Sequence, residues 1–322
     1  MNYSDDSFAT MLLTMALTPN RAEYARPLST QEYRRISQLV QASSVGRLGG
    51  LLQMDISGLM QLLRLPEEEA YRVFTLLNRG VQLSYALEGF LRRGIEAVSL
   101  FDHEYPERLK RRMGNLAPPI LFLSGDRALL EMPMIGVFGI SGVKTTQEVR
   151  SSVEALVRGA KERGYAILTG GELGVSRVAA GFAREMDVPR IDALGGGMDE
   201  HIGQEENALR IAAGRALAVS LEHPESLFTV SHAILRNKFS FAMAEAAFVF
   251  NTDLKRGETD AIKNRLCDWI YAYAGWPQNQ TLISRGATGI GEISDRVFAE
   301  LSVRWHDSRT EQVSMFDFLQ EK

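Results

Sequence analysis

The strongest constraint on the fold of this chain is an alternation of short apolar segments and amphipathic segments that begins near Pro133. Five segments have the composition of strands: MIGVFGI, YAILTGG, RIDALGGG, RALAVSLE and AAFVFN. Helical spacing lies between them, as in TTQEVRSSVEALVRGAKERG, where Thr145 or Thr146 is the expected N-cap and Gly164 the expected stop. The alternation predicts a parallel α/β sheet with right-handed crossovers and helices on both faces.

Three of the predicted strands end in glycine-rich loops, which makes their carboxyl ends the expected place for a ligand. The loops are GVFGISGVKT, LTGGELG and LGGGMDEHIGQEEN. In open α/β sheets, ligands bind outside the carboxyl ends of the strands. The first loop lacks the dinucleotide-binding glycine spacing, and Val143 stands where a Walker loop needs glycine. Glycines that only permit a tight turn are an equally good interpretation of this loop.

The residues before the alternation predict a small all-helical domain, in which no strand is expected. YRRISQLVQ and ISGLMQLLRL place apolar residues at helical spacing, and Pro66 followed by acids is typical of a helix start. A length of 322 residues indicates two domains. The predicted division is a helical domain with a linker over 1–128, an α/β core over 129–292, and a C-terminal helix with a flexible tail over 293–322.

The composition limits both the type of protein that this chain can be and the kinds of partner that it can bind. The formal net charge of −4 means that any nucleic-acid site must be a local patch and not the whole surface. Cys267 is the single cysteine, so no internal disulfide is expected, and no Cys/His cluster has zinc spacing. The N-terminal segment carries acids where a signal peptide needs bases, and its apolar run is too short for a bilayer. These features predict a cytoplasmic protein without a membrane segment, cofactor or metal.

The second glycine loop resembles the phosphate site of nucleoside-5′-monophosphate phosphoribohydrolases of the lysine-decarboxylase-like family. The motif of those enzymes continues into a catalytic glutamate. Here Gly174 is followed by Val175, Ser176 and Arg177, so that carboxylate is missing. The resemblance therefore implies binding and not hydrolysis.

The order of motifs along the chain resembles that of the DNA-processing protein A family over roughly residues 85–290. The matching segments are HEYPERLKRRMGNLAPPILFLSGD, VFGIS, TGGELGVS, GMDEHIGQEEN, Arg236-Asn237-Lys238, RGETDA and Gly286-Ala287. The resemblance implies a Rossmann-like core that binds single-stranded DNA without catalysis and helps to load a RecA-type recombinase. It also implies a homodimer.

The chain departs from the family pattern at several positions. Ile140-Ser141 stand where the family has an arginine, Ser176 replaces an aspartate, and His201-Ile202 replace Tyr-Pro. A divergent member is therefore expected, and a specialised role in phage defence or in a toxin–antitoxin module, beside a phosphoribosyltransferase-like partner, stays open. The alternative from another class is a nucleotide-ligand sensor or a nucleosidase that uses the same glycine loops.

The residues predicted to bind DNA lie at the strand ends and at the start of the helix in LRNKFSF. They are Gly139, Ser141, Lys144, Gly170, Gly171, Arg177, Gly197, Asn207, Arg236, Asn237, Lys238 and Arg256. Glycine lets backbone amides approach phosphates closely, and cations at a helix start add to the positive end of the helix dipole. Asn237 can donate to a phosphate or to a base edge.

Two alternatives concern the side chains around this predicted helix start. Arg236 and Lys238 can instead be a surface pair or form ion pairs with Glu245 or Asp253. Phe239 and Phe241 are aromatic candidates for base stacking, but their apolar surroundings favour a place in the core.

A second basic segment, ERLKRRM, precedes the predicted α/β core. Its cations are Arg108, Lys110, Arg111 and Arg112. A solvated helix face and a further contact with the DNA backbone are equally good interpretations of this segment.

The C-terminal tail contains a segment that resembles the peptide by which bacterial proteins bind the sliding clamp of the replicative polymerase. The segment is Gln312, Val313, Ser314, Met315 and Phe316. Met315 and Phe316 would fill an apolar pocket, and Gln312 a polar one. Docking of Met315, Phe316, Phe318 and Leu319 on the core of the same chain is the alternative.

Overall fold

The computed structural model describes residues 3–17, 25–140, 143–170, 173–293, 297–299 and 301. Its strands are β1 (Glu96–Ser99), β2 (Ile120–Gly125), β3 (Met134–Phe138), β4 (Ala166–Thr169), β5 (Arg190–Leu194), β6 (Ala216–Ser220), β7 (Ala246–Val249), β8 (Trp269–Tyr273) and β9 (Thr288–Ile290). Its α-helices are α1 (Asp5–Thr14), α2 (Thr30–Gln41), α3 (Ile56–Leu63), α4 (Glu67–Leu77), α5 (Gly80–Arg92), α6 (Glu107–Met113), α7 (Gln147–Glu162), α8 (Gly174–Glu185), α9 (Asp199–Gly203), α10 (Glu205–Ala212), α11 (Val230–Met243), α12 (Glu258–Lys263) and α13 (Asn279–Ser284).

All nine of these strands belong to one sheet, in the order β1-β2-β6-β5-β4-β3-β7-β8-β9. In this spatial order, the seven strands β6, β5, β4, β3, β7, β8 and β9 are parallel to one another. β2 is antiparallel to both of its neighbours, β1 and β6. The strand order reverses at β3, which pairs with β4 on one side and with β7 on the other. A crevice therefore opens beside the carboxyl end of β3, where α/β sheets usually bind their ligands.

The sheet is buried on both faces, as the continuous apolar character of its central strands requires. Side chains of α6 and α11 pack on one face, and side chains of α7 and α8 pack on the other. Phe239 and Phe241 of α11 are buried, and the Phe241 ring stacks on Phe138 with 4.0 Å between the ring centroids. The predicted fold class, a parallel α/β sheet with helices on both faces after a helical N-terminal region, is confirmed.

The helix termini follow the sequence signals in the central helix α7. Thr146 is its N-cap, and the Thr146 hydroxyl accepts a hydrogen bond of 3.3 Å from the Val149 amide. The helix ends at Glu162, and Gly164 follows with a φ of +71°, a left-handed conformation that glycine adopts without strain.

The prediction that no strand precedes residue 129 was wrong. β1 and β2 lie in that region, and β2 is an apolar run with five consecutive buried residues. Such a run shows no alternation, so its period does not distinguish it from a buried helix segment. Its pairing partner is β6, where Phe122 lies opposite Ser220, and this contact is distant in sequence. The sheet also extends beyond the five predicted strands through β8 and β9.

The N-terminal helices form their own core and also pack against the sheet. Buried apolar side chains of α1 to α4 form one cluster. A second cluster joins α1 and α5 to β1, β2, the middle of β6 and the end of β5. The division of the chain at residue 128 stays a prediction. Within the described part of the chain, no helix is both long and apolar enough to cross a membrane.

Two arginines of the basic helix α6 are structural. Arg108 donates to the Met243 carbonyl at 2.8 Å, and Arg112 donates to the carbonyls of Ala242 and Ala244 at 3.0 and 2.6 Å. These carbonyls belong to the last turn of α11, where helices leave acceptors unpaired. Both guanidinium groups also pair with Glu245. Arg108 and Arg112 therefore hold α6 on α11, and neither interpretation of their role predicted from sequence applies.

We expect Arg112→Ala to lower the free energy of unfolding by about 3 kcal/mol, because it unpairs helix-end carbonyls and weakens the pairing of a buried carboxylate. The Arg112 side chain is only 7% exposed. Arg111 is an exposed residue of the same helix, and Arg111→Ala should change the free energy by less than about 0.5 kcal/mol. Denaturant unfolding measures both. Equal losses for the two variants would contradict the structural role of Arg112.

Candidate nucleic-acid interface

A cavity of about 620 Å³ lies at the carboxyl edge of the sheet. The ends of β3, β4 and β5 form its floor, and α11 forms one wall. The loop after β6 and the loop after β7 complete it. Six of the residues predicted to bind DNA line this cavity: Gly139, Gly170, Gly197, Arg236, Asn237 and Arg256. The three glycine-rich strand ends therefore meet at one site.

Two of the strand-end glycines lie close to other groups of the site. A Cβ atom at Gly170 would lie 2.9 Å from the guanidinium carbon of Arg236. A Cβ atom at Gly197 would collide with the carbonyl of Pro224, whose loop lies directly over the end of β5. The Gly197 amide donates to the Ser226 carbonyl at 2.6 Å, which fixes this loop in place. A side chain at Gly170 would displace the Arg236 guanidinium, and one at Gly197 would displace the loop after β6.

Arg236 lies within α11 and not at its start, which corrects the predicted position of Arg236, Asn237 and Lys238. Thr229 is the N-cap, and its hydroxyl accepts from the His232 amide at 3.1 Å. The threonine side chain caps the helix, so the helix begins at Val230, well before Arg236. The positive end of the helix dipole therefore adds little at Arg236, since the dipole effect is confined to the first turn.

The Arg236 guanidinium lines the cavity and has no acidic partner in the part of the chain that the structure describes. Its Nη1 donates to the Ala193 carbonyl at 3.0 Å, and its Nε is shielded from solvent without a hydrogen bond. No carboxylate of the described ranges pairs with Arg236. Burial, with a smaller contribution from the charge of Arg256, lowers the pKa of Arg236 to about 10. The side chain therefore remains a cation at neutral pH.

The neighbours of Arg236 differ in their partners. The Asn237 side-chain amide donates to the Arg256 carbonyl at 3.0 Å, so it fixes the loop after β7. Arg256 pairs with Asp253 at 3.3 Å. Lys238 pairs with Asp260 at 2.7 Å and does not line the cavity. The ion-pair alternative thus holds for Lys238, but its partner is neither Glu245 nor Asp253.

Lys144, Arg177 and Asn207, three other predicted site residues, do not line the cavity. Lys144 and Arg177 are exposed and form no ion pair with a described residue. Asn207 is buried, where it accepts from Arg190 at 2.8 Å and donates to the His201 carbonyl at 3.0 Å. Ser141 and Gly171 lie outside the described residues, as does the clamp-binding-like segment 312–316.

Asn207 belongs to a buried polar network under the cavity floor. Its centre is Asp192 of β5, which accepts from Thr169 at 3.0 Å and from Arg190 at 2.9 Å and lies 3.1 Å from His201. Burial alone would raise the pKa of Asp192, but the hydrogen bond with His201 and the charge of Arg190 lower it. A charged Asp192 within a satisfied network gives the strand end a rigid position.

An apolar rim at the cavity mouth was not predicted from the sequence. Leu227 and Phe228 are 82% and 63% exposed, and Leu173 faces them from the loop after β4. The Phe228 ring packs near Gly195, since a Cβ atom there would lie 3.0 Å from it. The sequence signal is the pair Leu227-Phe228 between Ser226 and Thr229, in a stretch with neither strand nor helix periodicity.

Acidic residues at the mouth of the cavity were also missed. Asp199, Glu200 and Glu225 line the cavity, and Arg93 of the N-terminal region pairs with Asp199 and Glu225. Glu258 lies deeper, where burial raises its pKa. Of the residues that the structure describes, no group of three or more His, Cys, Asp or Glu side chains is placed to hold a metal ion.

Known proteins are similar to this chain in sequence and in architecture. The sequence model of the family described as DNA recombination-mediator protein A matches residues 96–298. A search of curated proteins found no match. Among solved structures, DNA processing protein A from Streptococcus pneumoniae is similar with a TM-score of 0.64 at 17% identity, over 91% of this chain and 96% of that one.

A second solved structure is also similar to this chain. DNA processing protein A from Helicobacter pylori, described with its single-stranded DNA binding mode, is similar with a TM-score of 0.52 at 19% identity. The similarity covers 67% of this chain and 98% of that one. At these identities the two structures support the fold, and the match over residues 96–298 supports the family. The chain therefore belongs to the DNA recombination-mediator protein A family.

Proposed function

We propose that the cavity at the carboxyl edge of the sheet binds single-stranded DNA and that the protein is a non-enzymatic recombination mediator. One observation carries this proposal. Arg236 is a partly buried cation that lines the cavity, with no carboxylate partner among the described residues, beside glycine-rich strand ends. Holding such a charge away from water is unfavourable in the free protein, and an incoming phosphate would relieve it. Family membership supports the same assignment.

The site also contains an aromatic ring on which DNA bases would stack. Single-strand binding proteins combine a cationic groove with aromatic rings on which bases stack. Phe228 supplies an exposed ring at the mouth of the cavity that contains Arg236. Lys144 and Arg177 are exposed cations beyond the ends of β3 and β4, and they extend the positive charge along the same edge. With a net charge of −4, such a local arrangement is the form that nucleic-acid binding would take.

The size of the cavity favours a second candidate function. A volume of about 620 Å³ falls in the range of small-molecule pockets, so a nucleotide-derived ligand is the alternative. Fluorescence anisotropy of a labelled oligonucleotide, single-stranded against duplex and with free nucleotides as competitors, separates the two. Salt-dependent single-strand binding that nucleotides fail to displace supports the first function. Nucleotide binding without DNA binding supports the second.

The finer parts of the proposal concern partners and pathway. Loading of a RecA-type recombinase, homodimer formation and a cytoplasmic location accord with the family resemblance. A role in phage defence or in a toxin–antitoxin module, beside a phosphoribosyltransferase-like partner, accords with the divergence at Ile140-Ser141, Ser176 and His201-Ile202. Co-purification from the native cell and mass measurement of the free protein address these partners directly.

Replacing Arg236 with Ala should weaken single-strand binding by about tenfold to a hundredfold and reduce the salt slope by about 0.7, the value for one lost phosphate contact. Lys238→Ala should have a much smaller effect, because Lys238 is already paired with Asp260 and lies outside the cavity lining. Anisotropy across a salt series measures both variants. A salt slope that Arg236→Ala leaves unchanged would remove Arg236 from the site.

Replacing Phe228 with Ala should weaken binding by about 1–3 kcal/mol, the contribution of one stacked base, and leave the salt slope unchanged because no charge is lost. Val230→Ala is a matched control, since Val230 is 61% exposed and close in sequence but does not line the cavity. The same anisotropy assay applies. Equal effects of the two substitutions would argue against stacking on Phe228.

Deleting residues 310–322 should abolish binding to the polymerase sliding clamp, if the segment Gln312, Val313, Ser314, Met315 and Phe316 is the contact. Single-strand binding should not change, because none of the residues proposed to bind DNA belongs to the deleted segment. Solution binding to purified clamp, with Met315→Ala/Phe316→Ala in the full chain as the finer variant, tests this. Intact clamp binding by the truncated protein would exclude the segment.

A further inference from the structure

One side chain from the N-terminal region reaches the mouth of the cavity. Arg93 follows the last residue of α5. Its Nη1 donates to Asp199, the first residue of α9, and to Glu225 in the loop after β6, the latter at 3.2 Å. Both acids line the cavity. A guanidinium outside the α/β core thus bridges two separate elements of the cavity mouth.

The packing around Arg93 fixes its position. Its guanidinium lies over the Phe90 ring, 5.4 Å from the centroid, and Phe90 meets His223 edge to face at 5.2 Å. His223 in turn accepts from the Glu225 amide at 3.2 Å. The end of α5 is therefore attached to the same loop that carries Phe228, both through ring packing and through charge.

Arg93 also determines the net charge of the mouth. Burial raises the pKa of Asp199, the charge of Arg93 opposes this shift, and the charge of Glu225 adds to it. Exposed Glu200 lies beside them. Without Arg93, up to three uncompensated carboxylates would face any ligand that enters. Like charges across a binding site repel strongly, so a phosphodiester chain would be disfavoured there.

We propose that Arg93 is a positioning and specificity residue of the cavity, which favours entry of a polyanionic strand by pairing with Asp199 and Glu225, so that the negative charge of the mouth is reduced, and by holding the loop that carries Phe228. The inference rests on the proposed single-strand binding function. It makes the helical N-terminal region part of the DNA site, through one guanidinium that need not contact DNA.

The test compares Arg93→Gln with Arg92→Gln in the full-length protein. Arg92 is on the same helix, is exposed, and pairs only locally with Glu88, so both variants lose the same charge. With a labelled oligothymidylate as the probe, Arg93→Gln should weaken binding about tenfold more than Arg92→Gln, as expected for uncovered like charges at a binding site. Adding Asp199→Asn and Glu225→Gln to Arg93→Gln should restore affinity to within about twofold of wild type.

The outcomes separate the inference from the function on which it rests. If wild type does not bind the oligonucleotide at low salt, the proposed function and the inference both fail. If wild type binds and Arg93→Gln matches Arg92→Gln, the inference alone fails. If Arg93→Gln binds weakly and the triple variant is equally weak, Arg93 acts only in packing and the electrostatic inference is overturned. Thermal unfolding of each variant identifies loss of fold.

Discussion

The candidate site depends on the close approach of the Arg236 guanidinium to Gly170, where a Cβ atom would lie 2.9 Å from the guanidinium carbon. This approach is possible because the residue after β4 has no side chain and because the Ala193 carbonyl of β5 accepts a hydrogen bond from Nη1. The position of α11 is in turn set by Phe239 and Phe241, which are buried against the sheet. A cation beside a strand end therefore requires the core, the helix and the glycine at once.

Cationic side chains have different roles in different parts of the molecule. Arg108 and Arg112 are enclosed by helix-end carbonyls and Glu245, so their hydrogen-bonding capacity is used within the protein. Lys238 follows Arg236 by two residues in the sequence, yet it is paired with Asp260. Arg236 has one backbone acceptor and no acid among the described residues. The presence of an acidic partner, and not the residue type, distinguishes a structural cation from one available to a ligand.

The sequence predicted those features that arise from local periodicity and local capping. Five parallel strands, the Thr146 cap and the Gly164 stop all follow from residues near each other in the chain. Features that depend on distant partners were missed. β2 is a strand because β6 pairs with it. The acidic residues of the cavity mouth pair with Arg93, which is distant from them in sequence. The sequence prediction placed the start of α11 at the basic residues near Arg236. The helix begins earlier, at Val230, because the Thr229 side chain caps it.

The antiparallel insertion of β2 between β1 and β6 has a consequence for how the molecule folds. Phe122 pairs with Ser220, so the edge of the sheet that carries the N-terminal region cannot form until the chain has reached β6. Pairings between distant segments are slow, because the intervening loop must be closed before any contact rewards it. During synthesis from the N-terminus, β1 and β2 would remain a two-stranded pair that packs against the N-terminal helices, and two-stranded pairs are marginally stable in water. Assembly of the N-terminal region onto the sheet therefore depends on a segment made much later.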